Sequence, residues 1–475
     1  MNAELVNKVD EFIAQHKDAM IEDIMALARI PSVRGEAKPG APYGEVCRSI
    51  LDEGVTLAGR HGFEAEVHSD KYALLHHGDG EKSIAFYGHL DVVPEGKGWT
   101  VTEPFNPVYK DGLLVGRGVD DNKAGVVIGL YTIKAVRDLG IPVKSRLTLF
   151  MGSNEESGMD DVKTFAAEQP MPDFSLVPDA RFPVCNGEKG GLRAKVISDR
   201  PFAQVRSMAG GVATNVVCEE VRATLEHTPA LKAELERLCA ENAWVSLSEE
   251  AGELVLIAKG IAAHASMPEK SHNATWEMVK LLAACEALCA EDREIAAFAA
   301  EALSDVYGNS LGIAASDEPS GPLTCVNGLV GLQDGRMWVT YDVRYCVTLD
   351  GAVVKQGFER YFAPGSGWSI DTLTYGNGYY VPEDDARIST LLNIYHEITG
   401  DREGKPFTMG GGTYARQLKN AVAFGPAPRV AAKLDLPENH GGVHQPDEAL
   451  VVSSFLEAVK IYILAVAELD KVLGA

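Results

Sequence analysis

SIAFYGHLDVV (83–93), GRGVDDNKAGVVIGLYTIKAVRDLG (116–140) and RLTLFMGSNEESG (146–158) decide how this chain folds. The first is an apolar run of strand length that ends at His89 and Asp91. The second opens on the pair Asp120–Asp121 and continues with apolar residues along one helical face to Gly140. The third is another apolar run, ending at Glu155 and Glu156. Strand and helix patterns in alternation are the mark of βαβ units, hence an α/β domain whose mostly parallel sheet is covered by helices. FSLVPDA (174–180) repeats the transition with Asp179. Ligands of open α/β sheets bind beyond the carboxyl ends of the strands. Imidazole and carboxylate gathered there form a cup for divalent metals.

After NGEKGG (186–191) the character changes. LRAKVISD (192–199), ELVLIAKGIAA (253–263) and RMWVTYDVRYCVT (336–348) read as strands, interleaved with helices near 274–303 and 351–362. We read 187–382 as an inserted α+β lid domain. A helix over 384–400, the short strand AVAFG (421–425) and a helix over 447–473 then return to the first fold. The catalytic domain is thus expected to be discontinuous, 1–186 with 383–475.

A chain of 475 residues exceeds one ordinary core. Its formal net charge of −24 and lack of a basic run argue against nucleic acid and anionic membrane as partners. The N-terminal segment is amphipathic and charged throughout, unlike a signal peptide, and no run of 18 apolar residues occurs. A cytoplasmic protein is expected. The eight cysteines (47, 185, 218, 239, 285, 289, 325 and 346) include no C-x-x-C pair and read as free thiols of a reducing compartment.

The polar strand ends suit a two-metal hydrolytic centre. Such a centre needs a bridging carboxylate, terminal ligands on each ion and a water between them. His89 offers a ring nitrogen. Asp91, two residues on and on the same strand face, is expected to hydrogen-bond that ring and fix its tautomer. Asp120 or Asp121 can bridge. Of Glu155 and Glu156, one can bind metal while the other takes a proton. Asp179 and His444, the latter in VHQPDE (443–448), would complete the ligands. Each piece alone has a plainer reading: a lone strand-end histidine is usually structural, and Asp-Asp before a helix is usually a cap. The argument lies in four such transitions within one α/β unit.

HLDVVPEGKGW (89–99), GRGVDDNKAG (116–125), GSNEESG (152–158), PDARFPVCNGEKG (178–190), GIAAHASMPE (260–269) and HQPDE (444–448) together resemble the co-catalytic di-zinc aminoacylase/carboxypeptidase-G/carnosinase metallopeptidases. RIPSVRG (29–35) fits as well, and the likeness runs nearly end to end. The NGEKG stretch, GGGTYAR (410–416) and the long insertion are most similar to the bacterial PepV-type dipeptidases. The resemblance implies hydrolysis of a dipeptide by water held between two divalent ions, zinc first, with manganese or cobalt compatible. It implies His89 and Asp179 on one ion, Glu156 and His444 on the other, and Asp121 between them. Glu155 would be general base and then acid, and Asp91 would orient His89. His264 would stabilise the oxyanion, and Arg344 would take the substrate carboxylate by a bidentate contact. Asn215, Gly411, Gly412 and Thr413 would help hold the peptide. A monomer is expected, because the long insertion resembles relatives in which a second lid half replaces a partner subunit.

Three departures stand out. Asp120 replaces the small or hydroxyl residue of relatives, Cys346 stands where Pro often follows the Arg-Tyr pair, and His440 is a rival to His444 that we read as an exposed loop residue. Two other functions share the pattern: an N-acyl-amino-acid deacylase of the same family, and a non-catalytic peptide- or metal-binding relative. The retained Glu155 speaks against the latter.

Overall fold

The computed structural model describes residues 2–431 and 434–474. The chain forms two units, Met1–Asn186 with Val381–Phe407 and Gly412–Ala475, and Gly187–Tyr380 with Thr408–Gly411. The short return of 408–411 to the second unit has no counterpart in the sequence pattern.

In the first unit, Ser83–His89, Phe174–Val177 and Ala421–Ala423 are buried along their whole length. That pattern belongs to parallel strands covered on both faces. The sheet order confirms it. Ala65–His68, Tyr72–His77, Arg146–Gly152, Ser83–His89, Phe174–Val177, Ala421–Ala423 and Cys185–Glu188 lie side by side. The central four run parallel, and the margins are antiparallel. The helix Lys123–Asp138 packs on the central strands and against the helices Ala3–Ala28 and Val452–Leu473. Gly129 permits this approach, since a Cβ there would stand 2.7 Å from Leu149 and 3.1 Å from Phe86. On the other face, Tyr72, Tyr87 and Phe150 pack around Phe165 of the helix Asp160–Glu168, and Phe150 also meets Tyr414. With both faces filled, polar chemistry is confined to the strand ends.

A separate three-stranded sheet decides where the last ligand segment goes. Ala449–Val451, which the sequence pattern assigned to the final helix, pairs antiparallel with Leu113–Val115. That pairing fixes the loop preceding residue 449 beside the loop following residue 115. The helix itself begins at Val452.

The second unit is one antiparallel sheet of eight strands. Its order is Val245–Glu250, Glu253–Lys259, Glu220–Leu225, Val205–Gly210, Thr324–Gln333, Arg336–Tyr345, Gly190–Ser198 and Trp368–Gly376. Burial alternates along Glu220–Leu225, as expected for a sheet with one face packed. Helices 229–240, 274–284 and 351–361 cover it. The strand from Glu253 ends at Lys259, four residues earlier than its apolar pattern suggests, and the chain leaves the sheet before His264. Among the described residues, no helix is long and apolar enough to cross a membrane, and all eight cysteines are free.

Candidate metal centre

His89, Asp121, Glu155, Glu156 and Asp179 each lie at or beyond the carboxyl end of a strand. His89 is the last residue of its strand, and its ring is 1% exposed. Glu155 and Glu156 lie in the turn after Arg146–Gly152, and Asp179 lies two residues beyond Phe174–Val177. Asp121 sits in the loop between Leu113–Val115 and the helix that begins at Lys123. His444, in left-handed backbone conformation (φ 64°), comes from the loop anchored by Ala449–Val451.

These residues fall into two trios that share Asp121. Donor atoms of His89, Asp121 and Asp179 lie within 4.8 Å of one another, as do those of Asp121, Glu156 and His444. The two oxygens of Asp121 are divided between them. Oδ1 is 3.1 Å from His89 Nε2, whereas Oδ2 is 3.0 Å from His444 Nε2. His89 Nε2 is 3.8 Å from Asp179 Oδ2, and His444 Nε2 is 3.2 Å from Glu156 Oε1. One imidazole and two carboxylates per trio is a donor set for borderline divalent cations, and the shared carboxylate has the form of a bridge. Asp120 belongs to neither trio. Neither aspartate caps the following helix: its N-cap is Asn122, whose side chain is turned to Asp179 Oδ1 (3.1 Å) and to the Pro178 carbonyl. A cavity of about 200 Å³ adjoins the trios, lined by Asp120, Asp121, Asp179, Ala180, Pro426 and Val443 among others.

Electrostatics separate the two aspartates. Burial acts to raise the Asp121 carboxyl, but His444 and His89 outweigh it and hold its pKa below the ordinary value. Burial, Glu448 and Asp121 push Asp120 up to about 8. His89 is opposed by burial yet raised well above its usual value by Asp121 and Asp91, and His444 rises to about 10 through Asp121 and Glu156. The protons so retained stand where cations would; a bound ion replaces them. Glu155 is raised well above the carboxylate range, first by burial and then by Asp179, Glu156 and Asp121, against the pull of His89.

Asp91 meets His89 with both its main chain and its side chain. The strand ends at His89, so the two do not share a strand face. His89 Nδ1 donates to the main-chain carbonyl of Asp91 at 2.9 Å, while the carboxylate stands 3.5 Å away. That donation leaves Nε2 as the ring nitrogen directed at Asp121. The Asp91 carboxylate also accepts the N–H groups of Glu155 (3.1 Å) and Glu156 (3.1 Å), one on each oxygen. It therefore pins the glutamate turn and the histidine together. His440, expected as an exposed loop residue, is partly buried, with Nδ1 2.7 Å from Asp447 Oδ2. Asp447 also accepts from the Thr100 and Val101 N–H groups, which ties down the loop bearing His444.

The second unit gathers its own group. The Ala265 N–H donates to the Asn215 carbonyl (2.8 Å), beside His264. His264 Nδ1 accepts the Ser266 N–H (3.2 Å) and faces its hydroxyl (2.8 Å), so the ring proton of the neutral form lies on Nε2. Burial, then Arg344, lower the His264 pKa and favour that neutral form. Arg344 is 6% exposed and donates Nε and one Nη to Asp342, and the other Nη to the Gly410 carbonyl (3.1 Å). Asp342 thus occupies the Nε edge of the guanidinium. Gly411 falls in the second unit, with open space around its Cα. Gly412 and Thr413 fall in the first, where a Cβ on Gly412 would strike Arg416 and Thr413 caps the turn Tyr414–Gln417.

A parallel α/β sheet with acid–imidazole trios at its strand ends defines a metal-dependent hydrolase. Residues 85–468 match Peptidase family M20/M25/M40, and the chain belongs to that family. It is 29% identical over 471 residues to the putative dipeptidase YtjP of Bacillus subtilis, covering 97% of this chain and 99% of that one. It is also 29% identical over 480 residues to the Beta-Ala-Xaa dipeptidase of Lactobacillus delbrueckii subsp. lactis, covering 97% and 98%. Human carnosine dipeptidase 1 shares the fold, with a TM-score of 0.56 at 15% identity over 98% of this chain and 100% of that one. So does the aminoacylhistidine dipeptidase of Vibrio alginolyticus, with a TM-score of 0.55 at 14% identity over 96% of each.

Proposed function

We propose that the chain is a dipeptidase that works with two divalent ions, zinc first, held by His89 and Asp179 on one side, Glu156 and His444 on the other, and Asp121 between. The observation that carries this reading is the division of the Asp121 oxygens between the two trios. The relatives named above as dipeptidases support the substrate class. When bound, such ions polarise a carbonyl and bring the pKa of a water toward neutrality. Glu155, which lies outside both trios, would take a proton from the attacking water and return it to the leaving amine. Its raised affinity for a proton suits both halves of the task, and added positive charge nearby draws it back toward the working range. Asp91 keeps Glu155 and His89 in register by holding the two segments at once.

For the second unit the reading is chemical. A neutral imidazole with its proton on Nε2 is a donor suited to an oxyanion, which we assign to His264. Arg344 is assigned to the substrate carboxylate through the N–H groups that Asp342 and Gly410 leave, with Asn215, Gly411, Gly412 and Thr413 lining the peptide. A monomer working in the cytoplasm on free dipeptides completes the reading.

The test is chelation, re-addition of single ions, and assay on a panel of dipeptides beside N-acetyl amino acids. We expect loss of activity on metal removal, recovery with zinc, manganese or cobalt, and release of two free amino acids from dipeptides only. Activity that survives complete metal removal overturns the mechanism. Cleavage confined to N-acetyl amino acids replaces the dipeptidase with a deacylase.

A further inference from the structure

Four residues beyond His444 lies a carboxylate that the chemistry above does not use. Glu448 is 0% exposed, and its carboxylate and carbonyl oxygens meet the loop that carries Asp121. Its Oε1 accepts two main-chain N–H groups, those of Asp120 (3.0 Å) and Asp121 (3.1 Å). Its Oε2 takes Arg117 at 2.6 Å, and its carbonyl accepts the N–H of Gly116 at 2.9 Å. Arg117, itself 1% exposed, is held in turn by the Glu95 carbonyl (3.2 Å) and the face of Trp99 (5.5 Å).

A buried ion pair is weak grounds for stability, because well-packed apolar side chains of similar volume often serve as well. An apolar residue at 448 could not, however, accept the two N–H groups. Those groups belong to the one residue whose two oxygens face both trios and to its neighbour. The aspartate side chain is short, so the direction of both oxygens follows from the main chain at 120–121. We propose that Glu448 is a positioning residue that fixes this main chain so that Asp121 meets both halves of the metal centre, with Arg117 present to orient Glu448. Because Glu448 and His444 share one loop, the same contact sets the second trio relative to the first. The proposal rests on the reading of Asp121 as the shared metal ligand.

The test separates the clamp from the ion pair. Glu448→Gln with Arg117→Met keeps an acceptor oxygen for the two N–H groups and leaves no charge unpaired. Glu448→Leu with Arg117→Met removes the acceptor as well. Uptake of Co2+ by the metal-free full-length chain, followed through its visible absorption, and thermal melting are measured for both. The Gln double variant is expected to bind cobalt close to wild type, and the Leu double variant about 10–100-fold more weakly, as for other groups that orient metal ligands. Equal cobalt affinity in two folded double variants overturns the proposal. Should the Leu double variant not fold, Glu448→Asp serves instead. It keeps the charge but withdraws the oxygen from the N–H groups, so cobalt affinity equal to wild type again overturns the clamp. Failure of the underlying reading shows differently, as a wild-type chain whose cobalt uptake is absent or unchanged by Asp121→Asn.

Discussion

The two units solve the placement of polar side chains in opposite ways. In the first, Ser83–His89, Phe174–Val177 and Ala421–Ala423 are buried on every residue, so only the ends of the strands are open to chemistry. In the second, strands such as Glu220–Leu225 alternate between buried and open positions. A doubly covered parallel sheet concentrates function at one edge; a singly covered antiparallel sheet spreads it. The first unit accordingly holds five donor residues within two overlapping trios. The second offers a looser set, His264, Arg344 and Asn215, one of which already gives two of its five N–H donors to Asp342.

The sharpest break of this contrast is Glu155→Gln. It should lower kcat by about 10²–10⁴ while metal content and melting temperature hold, since the residue lies outside both trios. Unchanged turnover would refute the assigned base. Next comes Asp342→Ala, which strands a buried guanidinium and should destabilise the second unit by about 3–5 kcal/mol. Hydrogen exchange would report it, faster in Gly190–Ser198 and Arg336–Tyr345 and unaltered in Ser83–His89 and Arg146–Gly152. Equal protection in all four strands contradicts the pairing.

A pH experiment probes the floor beneath the metal edge. Asp161, 0% exposed, is raised to about 6 by burial and then by Asp91, although the Ser153 and Asn154 N–H groups and Tyr414 donate to it. A carboxyl that binds its proton more tightly folded than unfolded gives stability that is complete below the unfolded value near 4 and lost as pH rises through 6. Wild type should therefore gain about 3 kcal/mol relative to Asp161→Asn between pH 7 and pH 3.5. Parallel melting curves across that range would remove the assignment. A smaller effect is expected of Asp91→Asn, about 10–100-fold in activity, because one acceptor oxygen and the histidine contact through the carbonyl remain. Smallest is Thr374→Lys on the exposed part of Trp368–Gly376, within about 0.5 kcal/mol of wild type by melting.

The α/β class and the strand-end residues were readable because both leave local marks: an apolar run of strand length, then His, Asp or Glu. The Asp342–Arg344 pair was missed, although D-x-R on a strand puts both side chains on one face. What Asp91 and Glu448 hold at long range was not readable. Their partners are main-chain N–H groups some 64 and 328 positions away, brought close by loops whose course no periodicity records. The strand Ala449–Val451 was hidden for a related reason, as three apolar residues running into a helix look like its first turn. His440 was misjudged because its partner, Asp447, lies in the same irregular loop.

The discontinuity of the first unit also has a bearing on how the protein is made. His89, Asp121, Glu156 and Asp179 all precede residue 187, whereas His444 follows the whole second unit. During N-to-C synthesis the trio of His89, Asp121 and Asp179 can close while the other still lacks its imidazole. On the proposed reading, hydrolytic competence is thus withheld from the growing chain until translation has passed residue 444, and a chain that stops between residues 179 and 444 carries one trio without the other.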